Sequence, residues 1–378
     1  MEQHGREAAS LRIKSKYKMS LRFYSTAFLA CAGLAASAAA WAQQLPPIEP
    51  PKPMPVAPGP LPSLRVTTTE VLVPTLVEEK GGGILYGLKP SDFILEDNGV
   101  PQKIKVQPEM DAAPVALVVA VERGGASVLE FNKLARLGPL LDVFLFDPRS
   151  QVALVGFDSV PHLMQDFTHS GEQVSKELTE LRPGNGGEAI LDTVNYAVTL
   201  LESQPKEYRR VLLLISEERD HGSKHTRPVQ LIRKVGESDV LVLSVSFSPG
   251  LAEFASGMKG PYYGQTTPAH TPTPGLPEQT AGGNLLAPLV MALNAAKKNV
   301  TKEVAEMSGG EYTTFFGDKA FQAEILRAAR DSRNRYLITF SPSDPTPGLH
   351  TIRVRTVEDY GARIVARANY WRDTGNSQ

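Results

Sequence analysis

Residues 115–126 read VALVVAVERGGA, and this stretch decides the fold. Seven apolar residues run without alternation into Glu122 and then into a loop of small residues. A strand wetted on one side would alternate apolar with polar positions. An unbroken, β-branched run belongs instead at the centre of a parallel sheet covered on both faces. Ligand sites of open α/β sheets lie at the carboxyl ends of such strands, so Glu122 stands where function is expected.

Working outward, the pattern predicts a helix over 128–146, where Leu129, Leu134, Leu137, Leu140 and Leu141 fall at helical spacing. Strands follow at 151–158 and His162–Phe167, then helices at 170–181 and 189–203, a strand at 210–216, a helix at 229–237 and a strand at 239–247. Residues 249–283, rich in Pro, Gly and Thr, read as a flexible surface insertion. Helix resumes from Leu285 to Met307, with a strand at Tyr312–Phe316 and a helix at Lys319–Arg333. Strands alternating with helices at this spacing imply right-handed β-α-β units. Both flanks are different: RVTTTEVLVPTLVEE (65–79) alternates as a strand, and DFILEDNGVPQKIKV (92–106) reads as a hairpin turning at Asp97-Asn98-Gly99. The tail segments YLITFSP (336–342), HTIRVRTV (350–357) and ARIVARANYW (362–371) read as three strands. The expected fold is therefore α/β. A doubly wound, mostly parallel, Rossmann-like sheet over 114–335 is inserted in a β-sandwich formed by N- and C-terminal segments, 64–111 and 336–372.

Residues 1–42 read as a signal peptide: basic Arg12, Lys14, Lys16, Lys18 and Arg22, an alanine-rich apolar core, and Ala40-Trp41-Ala42 ahead of Gln43. Met19 offers an alternative start. A Pro-rich linker occupies 43–63. The protein is thus expected to be exported, periplasmic or secreted. Cys31, the only cysteine, falls in the leader, so the rest has neither disulfides nor thiolate chemistry. Without the leader, 34 basic residues stand against 39 acidic ones, which is no nucleic-acid footprint. No later stretch is apolar enough to span a membrane.

Three sheet-end loops line up: ERGGA (122–126), GGEAILD (186–192) and SEERD (216–220). With LKPSDFILEDNG (88–99), QVALVGF (151–157), DFT (166–168), GGEY (309–312) and YLITFSP (336–342), their order resembles a von Willebrand factor A (VWA) domain. More narrowly, it resembles the exported bacterial VWFA-related proteins abundant in Acidobacteria, over residues 64–372. The resemblance implies a VWA sheet bearing a metal-ion-dependent adhesion site. Such a site takes Asp-x-Ser-x-Ser from its first loop, a Thr from the second and an Asp from the third. Mg²⁺ wants octahedral oxygen ligands and keeps several waters. Held largely by hydroxyls it stays net positive and recruits a partner's carboxylate.

This chain departs at every position. Glu122 replaces the first Asp, Gly124 and Ala126 replace the serines, Glu188 stands for the Thr and Glu217 for the third-loop Asp. Glu122, Glu188 and Glu217 are the candidate metal-ligating residues of a degenerate site. Three glutamates over-neutralise a divalent ion, and without one they raise one another's pKa. Arg123 and Arg219 are near enough in sequence to relieve that as ion pairs. The expectation is a silent, salt-bridged site with no cofactor; an atypical Ca²⁺ or Mn²⁺ site and a working Mg²⁺ site are the alternatives.

Other constellations carry less. His221 and His225 have the spacing of a helical zinc pair, but HGSKHTRP is loop, and a third ligand must come from Glu217 or Asp220. Gly184-Asn185-Gly186-Gly187 lacks the Gly-Lys-Ser/Thr ending of a phosphate loop and reads as a turn. Asp147 and Asp158 read as caps or turn residues, and no Gly-x-Ser-x-Gly elbow occurs. Tyr262-Tyr263 in the insertion suit a contact surface. The expected function is a non-enzymatic interaction scaffold that binds a protein or cell-envelope component without Mg²⁺-dependent adhesion. A divalent-metal-dependent adhesin and a metal-assisted hydrolase using His221, His225 and a glutamate are the alternatives.

Overall fold

The computed structural model describes residues 70–107, 113–248 and 287–373. The leader, the Pro-rich linker, the 249–283 insertion and Tyr262-Tyr263 lie outside these residues. Four short strands come first: β1 (Val71–Glu78), β2 (Phe93–Asp97), β3 (Val100–Pro101) and β4 (Ile104–Gln107). Asn98 and Gly99, both at positive φ, turn β2 into β3. The expected return strand ends after two residues. Residues 104–107 leave the hairpin and pair elsewhere, as described below.

β5 (Val115–Glu122) is buried along its whole length. It pairs in parallel with β6 (Gln151–Phe157) on one side and β8 (Arg209–Ser216) on the other. β7 (Pro161–Thr168) closes one edge antiparallel to β6, and β9 (Leu241–Ser246) and β10 (Tyr312–Thr314) extend the other in parallel. The order is β10-β9-β8-β5-β6-β7. It reverses between β5 and β8, which opens a crevice at the carboxyl ends of those two strands.

The two faces of β5 feed two separate cores. Val115, Leu117, Val119 and Val121 pack with α1 (Phe131–Leu134), α2 (Gly138–Leu141), α3 (Gly171–Thr179) and the carboxyl-terminal helix of this layer, Asp318–Arg333. Ala116, Val118 and Ala120 pack with α4 (Ile190–Glu202), α5 (Pro228–Glu237), α6 (Ala287–Lys298) and α7 (Val300–Ser308). Asp318–Arg333 is thus α8. Each fully buried Val or Leu is worth roughly 1.5–3 kcal/mol, and β5 alone supplies five.

Two helices differ from expectation. The 128–146 stretch is broken into a 3₁₀ turn (Gly125–Glu130), α1 and α2. Pro139 lacks the N–H that a continuous helix needs, and Gly138 lies so close to Ser175 that a Cβ would collide with it. The 285–307 helix divides at Asn299, whose side chain accepts the Lys302 N–H and caps α7.

The chain ends in β11 (Tyr336–Phe340), β12 (Gly348–Thr356), β13 (Arg363–Ala366) and β14 (Asn369–Arg372). They complete two four-stranded sheets with the early strands, β13-β1-β11-β4 and β14-β12-β2-β3. Their inward residues share one apolar cluster that includes Val73, Leu95, Ile338, Phe340 and Tyr370. The stretch 362–371, read as one strand, is divided between both sheets. Arg367, at the break, is buried and donates to the carbonyls of Leu72, Val235, Gly236 and Asn369. Arg335 likewise donates to Gly309 and Val365. These two guanidiniums join the α/β layer to the flanking sheets. No helix among the described residues is long and apolar enough to cross a membrane.

Candidate functional site

Three loops meet above the crevice between β5 and β8. The first begins at Glu122, the last residue of β5. Its chain passes through Gly124, which has no room for a side chain, and Gly125, whose left-handed backbone angle favours glycine. A Cβ on Gly124 would collide with the carbonyl oxygens of Gly187 and Asn185. Gly125 sits at φ +51, and its Cβ would lie 2.6 Å from Glu188 Oε1.

The second loop is held by Asn185. Its Oδ1 accepts the N–H of Ser159 (3.0 Å) and of Gly187 (3.1 Å), and its Nδ2 donates to Ser159 Oγ. The Gly184 N–H donates to the Arg123 carbonyl, joining the first two loops. The third loop is stapled to the start of α4 by two aspartates. Asp220 accepts the Leu191 N–H at 3.0 Å. Asp192 accepts the N–H groups of Lys224 (2.9 Å), His225 (3.2 Å) and Thr226 (2.6 Å). Burial pushes the Asp192 carboxyl up, but these donors together hold it below its ordinary value. The His221 N–H donates to the Glu188 carbonyl, closing the ring of loops.

Glu122, Glu188 and Glu217 are thereby brought together, each offering a carboxylate oxygen within 4.8 Å of the others. They are 0%, 8% and 7% exposed. Glu122 Oε2 accepts the Glu217 N–H at 2.8 Å, but Glu122 Oε1 and Glu188 Oε2 are buried with no hydrogen-bond donor. Burial, followed by the nearby charges of Glu217 and Glu188, raises Glu122 to about 9 against the lowering effect of that N–H. Burial also raises Glu188, with His221 pulling it down and Asp220 pushing it up.

The expected relief by arginines does not occur. Arg123 donates from Nη2 to Asp158 Oδ2 at 3.0 Å, and Arg219 is exposed with no ion pair among the described residues. No Lys or Arg among those residues pairs with Glu122 or Glu188. Register explains the choice made by Arg123. Glu122 is the parallel partner of Phe157, so the next residues, Arg123 and Asp158, emerge side by side.

His221 and His225 are both exposed and join no group of three ligating atoms among the described residues. The Asp147 carboxylate caps a turn at the Arg149 N–H, as expected. Gly125 and Asp192 shape the loops and went unread in the sequence, where Gly124 was read only as a lost serine and Asn185 only as part of a turn. Asp192 lay inside a quoted loop motif, and an Asp in the first turn of a helix was the available signal.

The group of ligating atoms that the three loops bring together is made of carboxylates. At Gly124 the second loop's carbonyls fill the space that a Cβ would require. The all-carboxylate donors, two with unpartnered buried oxygens, suit a hard divalent cation whose charge they saturate.

Residues 126–219 match the family model described as von Willebrand factor type A domain; Glu188 and Glu217 fall inside that segment and Glu122 just before it. No curated protein matches the chain. Among solved structures, the vWF domain of the type V pili tip protein Mfa5 from Porphyromonas gingivalis is 18% identical, with a TM-score of 0.26. That alignment covers 29% of this chain and 39% of that one. The conserved hypothetical protein BatB from Bacteroides thetaiotaomicron is 16% identical over 57% of this chain and 99% of its own, with a TM-score of 0.36. The PilB minor pilin from Streptococcus sanguinis is 10% identical over 60% and 63%, with a TM-score of 0.40. Likenesses this distant say nothing of what this chain binds.

Proposed function

We propose that the protein is an exported, non-enzymatic VWA-type scaffold of the VWFA-related kind, its α/β layer inserted in a β-sandwich. It presents the loops at the carboxyl end of the six-stranded sheet to a protein or cell-envelope component. Mg²⁺-dependent recruitment of a partner carboxylate plays no part. The observation that carries this reading is the convergence of Glu122, Glu188 and Glu217 where an adhesion metal would need hydroxyls. The VWA match over 126–219 supports it. The loops are also pinned to one another by backbone hydrogen bonds, which suits a preformed contact surface.

A pull-down from envelope extract with the full chain tests the reading. Capture should be lost in an Arg219→Glu, Lys224→Glu double variant, since both side chains are exposed on the third loop. It should persist in Lys206→Glu, exposed ahead of β8 at the opposite end of the sheet. Capture abolished by EDTA and restored by Mg²⁺ alone would replace this reading with the adhesin. Capture indifferent to the loop charges would remove the loop face from it.

A further inference from the structure

His350 is enclosed in the flanking sheets, 2% exposed, between β2, β14 and the connection from β11 to β12. Its two ring nitrogens are placed differently. Nε2 lies 2.7 Å from the Thr346 carbonyl, which can only accept, so Nε2 carries a proton. Nδ1 lies 2.9 Å from Asp97 Oδ1, 3.0 Å from Tyr370 Oη and 3.2 Å from Asn98 Nδ2. Tyr370 has its own acceptor, Asp97 Oδ2 at 2.8 Å. Burial, and then the Asp97 carboxylate, push the phenol up, so it keeps its proton. The Asn98 amide is oriented independently: its Oδ1 accepts the Thr351 N–H at 3.0 Å, which turns Nδ2 toward the ring.

Asp97 and Asn98 therefore make opposite demands on one atom. A carboxylate only accepts, and bonds Nδ1 only while that nitrogen holds a proton. An amide NH₂ only donates, and bonds Nδ1 only when it is bare. With the ring charged, Nδ1–H holds Asp97, and the Asn98 amide faces an N–H that it cannot bond. With the ring neutral, Asn98 donates to Nδ1, and the buried Asp97 carboxylate faces a lone pair with Tyr370 as its remaining donor on the cluster. The two residues are consecutive in the turn from β2 to β3, where Asn98 sits at φ +49. Just beyond the turn, Gln102 is tied to the connection that carries Thr346. Its Nε2 donates to Ser343 Oγ at 2.9 Å and its Oε1 accepts the Ser343 N–H at 3.1 Å.

We propose that His350 is a proton-operated switch of the Asp97-Asn98-Gly99 turn: the charged ring grips Asp97, and the neutral ring lets it go and takes the Asn98 amide instead. The titratable and charged groups around the ring are Asp97 from β2, Tyr370 and Arg372 from β14, and Asp344 from the β11–β12 connection. The opposite sheet contributes apolar Phe340, packed edge-on against Tyr370. Burial opposes charge on the ring. The bonds to Asp97 and to the Thr346 carbonyl, with the charges of Asp97 and Asp344, outweigh it and lift the ring above its ordinary value. The grip on Asp97 is thus complete below that ordinary value, about 6.5, and passes to Asn98 as the pH rises through the raised one. The switch lies outside the six-stranded sheet and is independent of what the loop face binds.

The test is a ¹⁵N NMR titration of the full chain carrying labelled histidine, in which His350 is the ring signal missing from His350→Gln. Between about pH 5.5 and 9, Nδ1 should lose its proton while Nε2 keeps its own, with a midpoint above the ordinary histidine value. Asp97→Asn should lower that midpoint by about one unit or more. Asn98→Gly, which suits the positive φ, should raise it by about 0.4 unit or more. By linkage, a group that bonds only the neutral ring must favour that form, so the rise measures the hand-over itself. Gln102→Ala loosens the same corner without removing a donor to Nδ1, and should leave the midpoint within about 0.2 unit. A midpoint unchanged or lowered in Asn98→Gly would overturn the proposal, and so would an equal rise in Gln102→Ala. Loss of the proton from Nε2, or a ring that does not titrate over this range, would also end it. Asn98 and Gln102 are only half-buried, so their variants decide the question even where Asp97→Asn does not fold.

Discussion

Asp192→Ala should loosen the third loop without unfolding the protein. The Asp192 carboxylate accepts three consecutive backbone N–H groups, two of them at 2.9 Å and 2.6 Å. A hydrogen bond to a charged group is worth about 1.5–3 kcal/mol. The loop lies at the surface, so freed amides regain water, and the loss should be about 3 kcal/mol rather than the full sum. At 1.4 kcal/mol per tenfold, amide exchange at Lys224, His225 and Thr226 should speed up by about 100-fold. Exchange at Leu212, Leu213 and Leu214 in the centre of β8 should stay near the wild-type rate. Asp192→Asn keeps one acceptor oxygen and should fall between. Acidity gives a second handle. The folded-state pKa of Asp192 is depressed, so its contribution is present above the ordinary carboxylate range and is lost as pH falls through the folded value. The difference between wild type and Asp192→Ala should therefore begin to shrink near the ordinary carboxylate value, about pH 4, and close only once the pH is below the depressed folded value. Wild-type exchange rates at 224–226 in Asp192→Ala would refute the reasoning, and so would an acceleration spread evenly into β8.

Three further outcomes are expected. Gly310→Ala would drive a Cβ into the Val242 carbonyl, a backbone group that cannot swing aside, and should cost about 3 kcal/mol in urea unfolding; an unchanged midpoint would contradict the packing. Gly124→Ser should also destabilise, by about 2 kcal/mol, and confer no Mg²⁺ affinity by calorimetry, because the hydroxyl arrives where carbonyls already sit. Burial opposes charge on His350, but its Nδ1 lies 2.9 Å from Asp97 Oδ1 and its Nε2 2.7 Å from the Thr346 carbonyl, and these bonds raise its pKa. The stability it contributes is complete below its ordinary pKa and is lost as pH rises through the raised one. His350→Gln should accordingly flatten the fall in the urea midpoint between pH 6 and 9.

The α/β layer was legible because β5 has no polar face, and only a sheet buried on both sides accepts such a strand. The three glutamates were legible as a set because the loop order resembles a VWA domain, against whose ligand pattern each could be placed. What the loops do with their charge was not. The pairing of Arg123 with Asp158 depends on the register between β5 and β6, which a linear reading cannot supply. The leucine spacing over 128–146 concealed the break at Gly138-Pro139, although both residues were in plain view. The division of 362–371 between two sheets turns on Arg367, and a buried arginine looks like a surface one until its carbonyl partners are assembled around it. The cluster of Asp97, His350 and Tyr370 escaped for the same reason, its members lying 253 and 20 positions apart.

β1 has a mechanical consequence. Its five register pairs with β11 and four with β13 are antiparallel. Val71 lies opposite Phe340, the far end of β11, while Thr75 lies opposite Tyr336, where β11 leaves α8. A pull on the chain ahead of Val71, against the α/β layer that β11 follows, therefore loads β1 along its length. The ladder bonds lie across that direction and bear the force together, in shear, rather than opening one by one. The two ends of β1 therefore share the load, and β11 holds it to the helix that precedes it.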